Sequence, residues 1–239
     1  MLKTLSAVFP RIMGQAKPSA PAYGRPHAIH PGWGEHTQTL SLPCGETIRL
    51  RPLYYQDGVL WREQRMTDQY SLQEVEPTSV HSWAQTHSHS GWREYFFNAK
   101  QSADSGFLVP LVIEVSGEFA GQIVLGNIQH GTTSDCWVGY WVYSAYRGRG
   151  IATAACALAT DHAFSRVGLH RVYATYLPGN IASQAVLENN GFRSEGLLRQ
   201  NLHINGQWRD HVLSAQTSQD YPDTCVERLI SAGRAAAWQ

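Results

Sequence analysis

Arginine and glycine alternate in Arg147-Gly148-Arg149-Gly150, three residues after the aromatic, β-rich run Val138-Gly-Tyr-Trp-Val-Tyr143 and directly before Ile151-Ala-Thr-Ala-Ala-Cys-Ala-Leu-Ala-Thr-Asp-His162, which is rich in helix formers. A strand feeding a glycine turn that opens a helix leaves unpaired backbone N–H groups at the positive helix end, and this is an anion site. Arg147 and Arg149 add charge beside it, and the missing Cβ of Gly148 and Gly150 lets a phosphate approach the backbone closely. No Gly-Lys-Ser/Thr follows, so this is not a Walker loop, and Gly148-x-Gly150 lacks the third glycine of a dinucleotide fingerprint. A basic turn opening a surface helix is the competing reading.

Other candidates are weaker. Asn180 stands before a helical stretch through Leu187 and is an N-cap candidate; Asn190-Gly191 stops that stretch. His81, His87 and His89 suggest metal binding, but a helix would turn His87 and His89 to different faces, and no carboxylate or cysteine stands at a metal spacing beside them, so no metal is expected. Cys44, Cys136, Cys156 and Cys225 form no Cys-x-x-Cys pair and read as scattered reduced thiols.

The chain has 239 residues and a formal net charge of +0, which fits one domain with extensions or two small ones and gives no sign of a general nucleic-acid or membrane binder. No apolar run is long enough to span a bilayer, and the basic, acid-poor start lacks a signal-peptide core, so a cytoplasmic protein is expected. Residues 1–45, rich in Pro, Gly, Ser and His, read as an irregular extension, with Tyr23 and Trp33 as candidates to dock it. Residues 46–217 form the body. Residues 218–239 are a tail in which Val226, Leu229 and Ile230 suggest a short docking helix.

Within the body, alternation predicts strands near 46–53, 107–115, 120–128, 136–143 and 170–177 and a hairpin about Asn205-Gly206. Helices are expected at 56–66, over about 79–99, at 151–162 with Ile151, Ala155, Leu158 and His162 on its buried stripe, and from Asn180. That order gives a mixed α+β fold.

The pattern Arg147-x-x-Gly150-x-Ala152 resembles the pyrophosphate motif of the GNAT superfamily of acetyl-CoA-dependent N-acetyltransferases. Gly139-Tyr-Trp141, Asn180-Ile-Ala-Ser183 through Gly191-Phe192, Glu195-Gly-Leu-Leu-Arg199 and Asn205-Gly-x-x-x-Asp210 follow in an order similar to the RimJ/RimL-type branch, the ribosomal-protein alanine N-acetyltransferases and their relatives. The resemblance covers about 46–217. It implies the GNAT fold, a central, strongly twisted mixed sheet with splayed middle strands and flanking helices. It also implies acetyl-CoA as co-substrate, with the pyrophosphate on Arg147, Gly148, Arg149, Gly150, Ile151 and Ala152, the pantetheine arm along Trp141, Val142 and Tyr143, and a contact from Asn180.

The implied reaction is direct amine attack on the thioester, most simply by a protein or peptide N-terminal α-amine, including that of a ribosomal protein. Such an amine titrates at about 7.7–8.0, against about 10.4 for lysine. Alternatives are a small amine acceptor (amino sugar, polyamine or antibiotic) or a non-catalytic acyl-CoA-binding domain; monomer and homodimer both stay open. The family's acid tyrosine position holds Leu187, whereas Ser183 matches the branch serine that could serve the leaving sulfur. Trp137 and Leu202 stand where relatives carry glutamates. That leaves His130, His203, Asp135 and Glu114 as candidate bases, acting through water, and a backbone N–H near Val142 or Tyr143 as the group polarising the carbonyl.

Overall fold

The structure, a computed structural model, describes residues 32–238. In chain order the elements are β1 (Leu40–Ser41), β2 (Thr47–Pro52), α1 (Gly58–Thr67), α2 (Gln69–Gln73), α3 (Trp83–Thr86), α4 (His89–Asp104), β3 (Leu108–Val115), β4 (Glu118–Gln129), β5 (Asp135–Val142), α5 (Ile151–His162), β6 (Arg171–Tyr176), α6 (Ile181–Asn189), β7 (Arg193–Ile204), β8 (Gln207–Thr217), α7 (Cys225–Ser231) and β9 (Ala236–Ala237). The strands make one mixed sheet in the order β7-β8-β6-β5-β4-β3-β2-β1-β9. All neighbours are antiparallel except β5 and β6. Every residue of β3 is buried, as its unbroken apolar run requires of a strand covered on both faces. One face carries α5, packed on β2, β4 and β5; the other carries α1 and α4.

The β5–β6 pairing fixes the site. It runs in parallel over Asp135↔Arg171, Cys136↔Val172 and Trp137↔Tyr173 and then stops. β5 continues to Val142 along β4, and β6 continues to Tyr176 along β8. Two strands in the middle of a sheet therefore splay apart, as the family resemblance implies.

Three local readings change. The helix expected over 79–99 is two helices. Ser82 caps α3, taking the Gln85 N–H at 3.3 Å, and Ser88 caps α4, taking the Gly91 N–H at 3.1 Å. Two good caps six residues apart restart the helix, and a Cβ on Gly91 would strike the Thr86 carbonyl.

Second, α5 does not bury a single stripe. Ile151, Ala154 through Thr160 and His162 are all buried, because α7 covers the side that the sheet does not. The Asp161 carboxylate holds that cover in place, accepting the Cys225 and Val226 N–H groups at 2.7 and 2.9 Å. Third, Leu40 and Ser41, in the stretch expected to be irregular, pair with Ile48 and Thr47 on one side and with Ala237 and Ala236 on the other.

In the tail, Val226 and Leu229 are buried and Ile230 is 37% exposed. Trp33 packs edge-on against Phe96 with ring centroids 5.3 Å apart; Tyr23 lies outside the described residues. Replacing Leu229, 2% exposed, with alanine opens a cavity between α7 and α5. The expected cost is about 2–5 kcal/mol in urea denaturation. A loss below about 0.5 kcal/mol would show that α7 adds nothing to the core.

Candidate active site

The glycine turn forms as its sequence requires. Gly148 and Gly150 have φ of 77° and 79°, in the left-handed region that favours glycine. The first helical bond of α5 joins the Ala154 N–H to the Gly150 carbonyl at 3.0 Å, so the Ile151, Ala152 and Thr153 N–H groups precede it. A carbon placed at the Cβ position of Gly148 or Gly150 would meet no atom within 4 Å. Open space above a row of amides at a helix N-terminus is a cradle a diphosphate fits.

The two arginines are less available than their charge suggests. Arg147 Nη2 lies 3.1 Å from Asp68 Oδ2 and 3.1 Å from Ser71 Oγ, and Asp68 Oδ2 also accepts the Ser144 N–H at 2.8 Å. Arg149 Nη1 bonds Glu46 at 2.8 Å, Nη2 donates to the Ala145 carbonyl at 2.5 Å, and its guanidinium lies 5.4 Å from the Tyr146 ring centroid. Both charges are shared with carboxylates that stand 79 and 103 residues away in sequence. Anion attraction at the turn therefore rests chiefly on backbone amides and the helix end.

A cavity of about 1600 Å³ occupies the splay and continues under α1 and α4. Trp141 lines it, as do Asn180 and Ser183. The Tyr143 N–H donates to the Ala120 carbonyl at 2.9 Å, so it is committed to β4 and cannot polarise a carbonyl in the splay. Antiparallel alternation then turns the N–H groups of Val142 and Tyr140 away from β4, toward the gap. Asn180 caps α6, its Oδ1 taking the Ser183 N–H at 3.1 Å. The Ser183 hydroxyl lies 3.2 Å from that of Tyr140. Burial drives the Tyr140 pKa well up, the Cys156 thiol adding to it, so this phenol stays protonated. Tyr140 escaped the sequence reading as a functional group, although period-two alternation with buried Val138 and Val142 points it toward α5 and α6.

The candidate bases separate. Glu114 is held by Arg49 and Arg51 at 2.5 and 2.6 Å and lines a different cavity of about 450 Å³. Burial would raise its pKa, but the two arginine bonds outweigh that and lower it. Asp135 lines the main cavity where β5 and β6 are still joined, and His130 and His203 do not line it. Three histidines not considered as bases, His81, His87 and His211, do. His87 accepts from Arg65 Nε at 2.7 Å, and its Nδ1 is 2.8 Å from the Trp83 carbonyl. Arg65 in turn pairs with Glu76 and lies 5.2–5.3 Å from the ring centroids of Trp61, Trp83 and Trp141. Among the described residues no group of His, Cys, Asp and Glu is arranged to hold a metal ion, and no helix is long and apolar enough to cross a membrane.

A mixed sheet parted at its parallel pair, with an amide cradle at the end of the opened strand, defines the acetyltransferase class. The Acetyltransferase (GNAT) domain family matches residues 47–193, and the chain belongs to that family. Among curated relatives, the probable N-acetyltransferase YjcK of Bacillus subtilis is 40% identical over 42% of this chain, and this chain spans 55% of its length. The ribosomal protein uS5-alanine N-acetyltransferase of Escherichia coli is 33% identical over 55% of this chain and 69% of its own. Among solved structures, Mycobacterium smegmatis RimJ in complex with CoA-disulfide aligns with a TM-score of 0.85 and 42% identity, over 88% of this chain and 100% of that one.

The His87 site makes stability depend on pH. Burial first, and then Arg65, lower its pKa from 6.5 to about 4. The unfolded chain therefore binds the proton more readily, and stability falls as pH drops from about 6.5 toward 4. Denaturation midpoints across this window should show a dependence that weakens by about one proton in His87→Gln; an unchanged slope would contradict a buried neutral imidazole.

Proposed function

We propose that the protein is an acetyl-CoA-dependent N-acetyltransferase acting on the α-amine of a protein or peptide N-terminus, with residues 46–217 as the catalytic body. The observation that carries this reading is the splay itself. It leaves the inner edge of β5 without a strand partner, beside an open amide cradle and a large cavity. The names of two relatives support the acceptor. The Escherichia coli enzyme is named for the alanine of ribosomal protein uS5, and the Mycobacterium smegmatis structure is a RimJ carrying a coenzyme A disulfide.

In this reading the amides from Gly148 to Ala152 receive the diphosphate, with Arg147 and Arg149 framing it. The pantetheine arm lies along Trp141 and Val142, where the outward-turned Val142 and Tyr140 N–H groups complete their bonding as an added strand would. Asn180 serves both as the α6 cap and as a contact to the arm. Ser183, backed by Tyr140 at 3.2 Å, stabilises the departing thiolate. The thioester supplies the acetyl group, and the chain contributes orientation, bonds to developing charge and exclusion of water.

The test is thiol release from acetyl-CoA with peptides bearing free N-terminal alanine or serine, and mass spectrometry of the products. Acetylation confined to the α-amine is expected; acetylation of spermidine with the peptides left untouched would replace this acceptor with a small amine. Gly150→Val should weaken acetyl-CoA binding in calorimetry by about 100-fold or more, since two or more charge-assisted bonds are lost. Undiminished binding would remove the cradle from the account. Ser183→Ala should lower kcat roughly 10- to 100-fold, with acetyl-CoA binding nearly unchanged; an unaltered kcat would leave Ser183 as a helix residue only.

A further inference from the structure

We propose that His211 is the general base of the transfer, taking the acceptor's proton through its Nε2; this rests on the acetyltransferase reading above.

Strand register places the ring. Val212 pairs with Tyr176 on β6, so His211 stands beside Leu177, at the open end of the splay, with Leu198 of β7 on its other side. Directly opposed residues share a face of a sheet. Leu213 opposes Thr175, Ala215 opposes Tyr173, and Tyr173 opposes Trp137. Period-two alternation then puts His211 on the same face as Trp137, Tyr173 and Trp141. That is the α1 and α4 face, where Trp141 contacts Phe119 and Arg65. Tyr140 lies on the other face, packed against the core that contains α5, with Ser183 at its hydroxyl. The splay thus has a nitrogen base on one side and a hydroxyl pair on the other. An amine arriving from the α1 and α4 face and a thiolate held toward α6 need that division.

The state of the ring follows from its bonding. His211 is 2% exposed, yet it lines the main cavity. Its Nδ1 lies 3.1 Å from the Arg209 carbonyl. A carbonyl only accepts, so Nδ1 carries the hydrogen and the lone pair of the neutral ring sits on Nε2. Burial lowers its pKa first, and Arg209 acts the same way, while the bond to the Arg209 carbonyl and the Asp210 charge raise it; the net direction is down. Arg199 follows its partner Leu198 on β7, β6 offers uncharged Leu177, and across the cavity stand His81, His87, the Arg65–Glu76 pair, Glu94, Asp135 and Arg171. Arg171 is tied to Glu195.

The step balances. The acceptor ammonium gives one proton to Nε2, which passes it to solvent. The freed amine forms the N–C bond as the C–S bond breaks, the electron pair leaves on sulfur, and the second amine proton neutralises the thiolate. An α-amine that titrates at about 7.7–8.0 needs this help at pH 6.5 and hardly needs it at pH 9.

His211→Gln and His211→Asn are compared with the parent protein by thiol release across pH 6–9.5, with acetyl-CoA calorimetry and melting as controls. At pH 6.5 the variants should be about 100-fold slower at unchanged acetyl-CoA affinity, with the gap closing to a few-fold near pH 9. A loss of equal size at every pH overturns the proposal in favour of a structural role, and so does parity at every pH. A measurement on the parent alone does not require the variants to fold: nitrogen NMR of the imidazole near pH 7.5 should show hydrogen on Nδ1, and hydrogen on Nε2 overturns the assignment. No thiol release by the parent with any peptide or small amine overturns the acetyltransferase reading itself; an active parent with indifferent variants removes His211 only.

Discussion

The structure turns on a parallel strand pair that stops after three residue pairs. Backbone N–H and C=O groups inside a protein need partners. Where β5 and β6 part, those of β5 on the β6 side lose theirs in the middle of a sheet, where burial would make that costly. The chain tolerates the loss by keeping the gap open to a large cavity, and what enters the gap can finish the ladder. The rest of the molecule serves that opening. β3 and β4 brace β5 from behind, and α5 ties its far end to the core.

Polarity then divides across the sheet. On the side of α1 and α4 the opening meets an aromatic wall in which Trp61, Trp92 and Tyr95 pack within 6 Å of one another. That wall encloses Arg65, whose charge is met by Glu76 and by the lone pair of His87. A buried cation among three tryptophan rings is tolerable only because both partners are present. On the side of α5 and α6 the surroundings are apolar side chains, the Cys156 thiol and the hydroxyls of Tyr140 and Ser183. Opposite chemical demands on an amine and on a thiolate can thus be met within one gap.

The glycine turn is coupled to both halves of the body. Asp68, at the junction of α1 and α2, holds Arg147 and the Ser144 N–H; Glu46, just before β2, holds Arg149. The same α1–α2 region lines the cavity through Arg65, Leu72 and Glu76. Asp68 thus ties the arginine of the turn to the region that walls the cavity.

How much of this was legible in the chain depends on range. Local physics sufficed for the glycine turn, because only glycine takes those φ values cheaply, and for the Asn180 cap, the Asn205-Gly206 hairpin and the apolar strands, because alternation and turn chemistry act over a few residues. The family motifs added the fold and the place of the splay. Tertiary structure decided the rest. Whether α5 shows one buried face or nearly all of them depends on α7, more than sixty residues on. Whether Arg147 and Arg149 are free charges depends on Asp68 and Glu46, and whether Glu114 can reach the gap depends on Arg49 and Arg51. His130, His203 and His211 cannot be ranked by type or spacing, since a histidine's role follows from which face of which strand carries it and what its second nitrogen meets. Those are long-range contacts, and no local pattern encodes them.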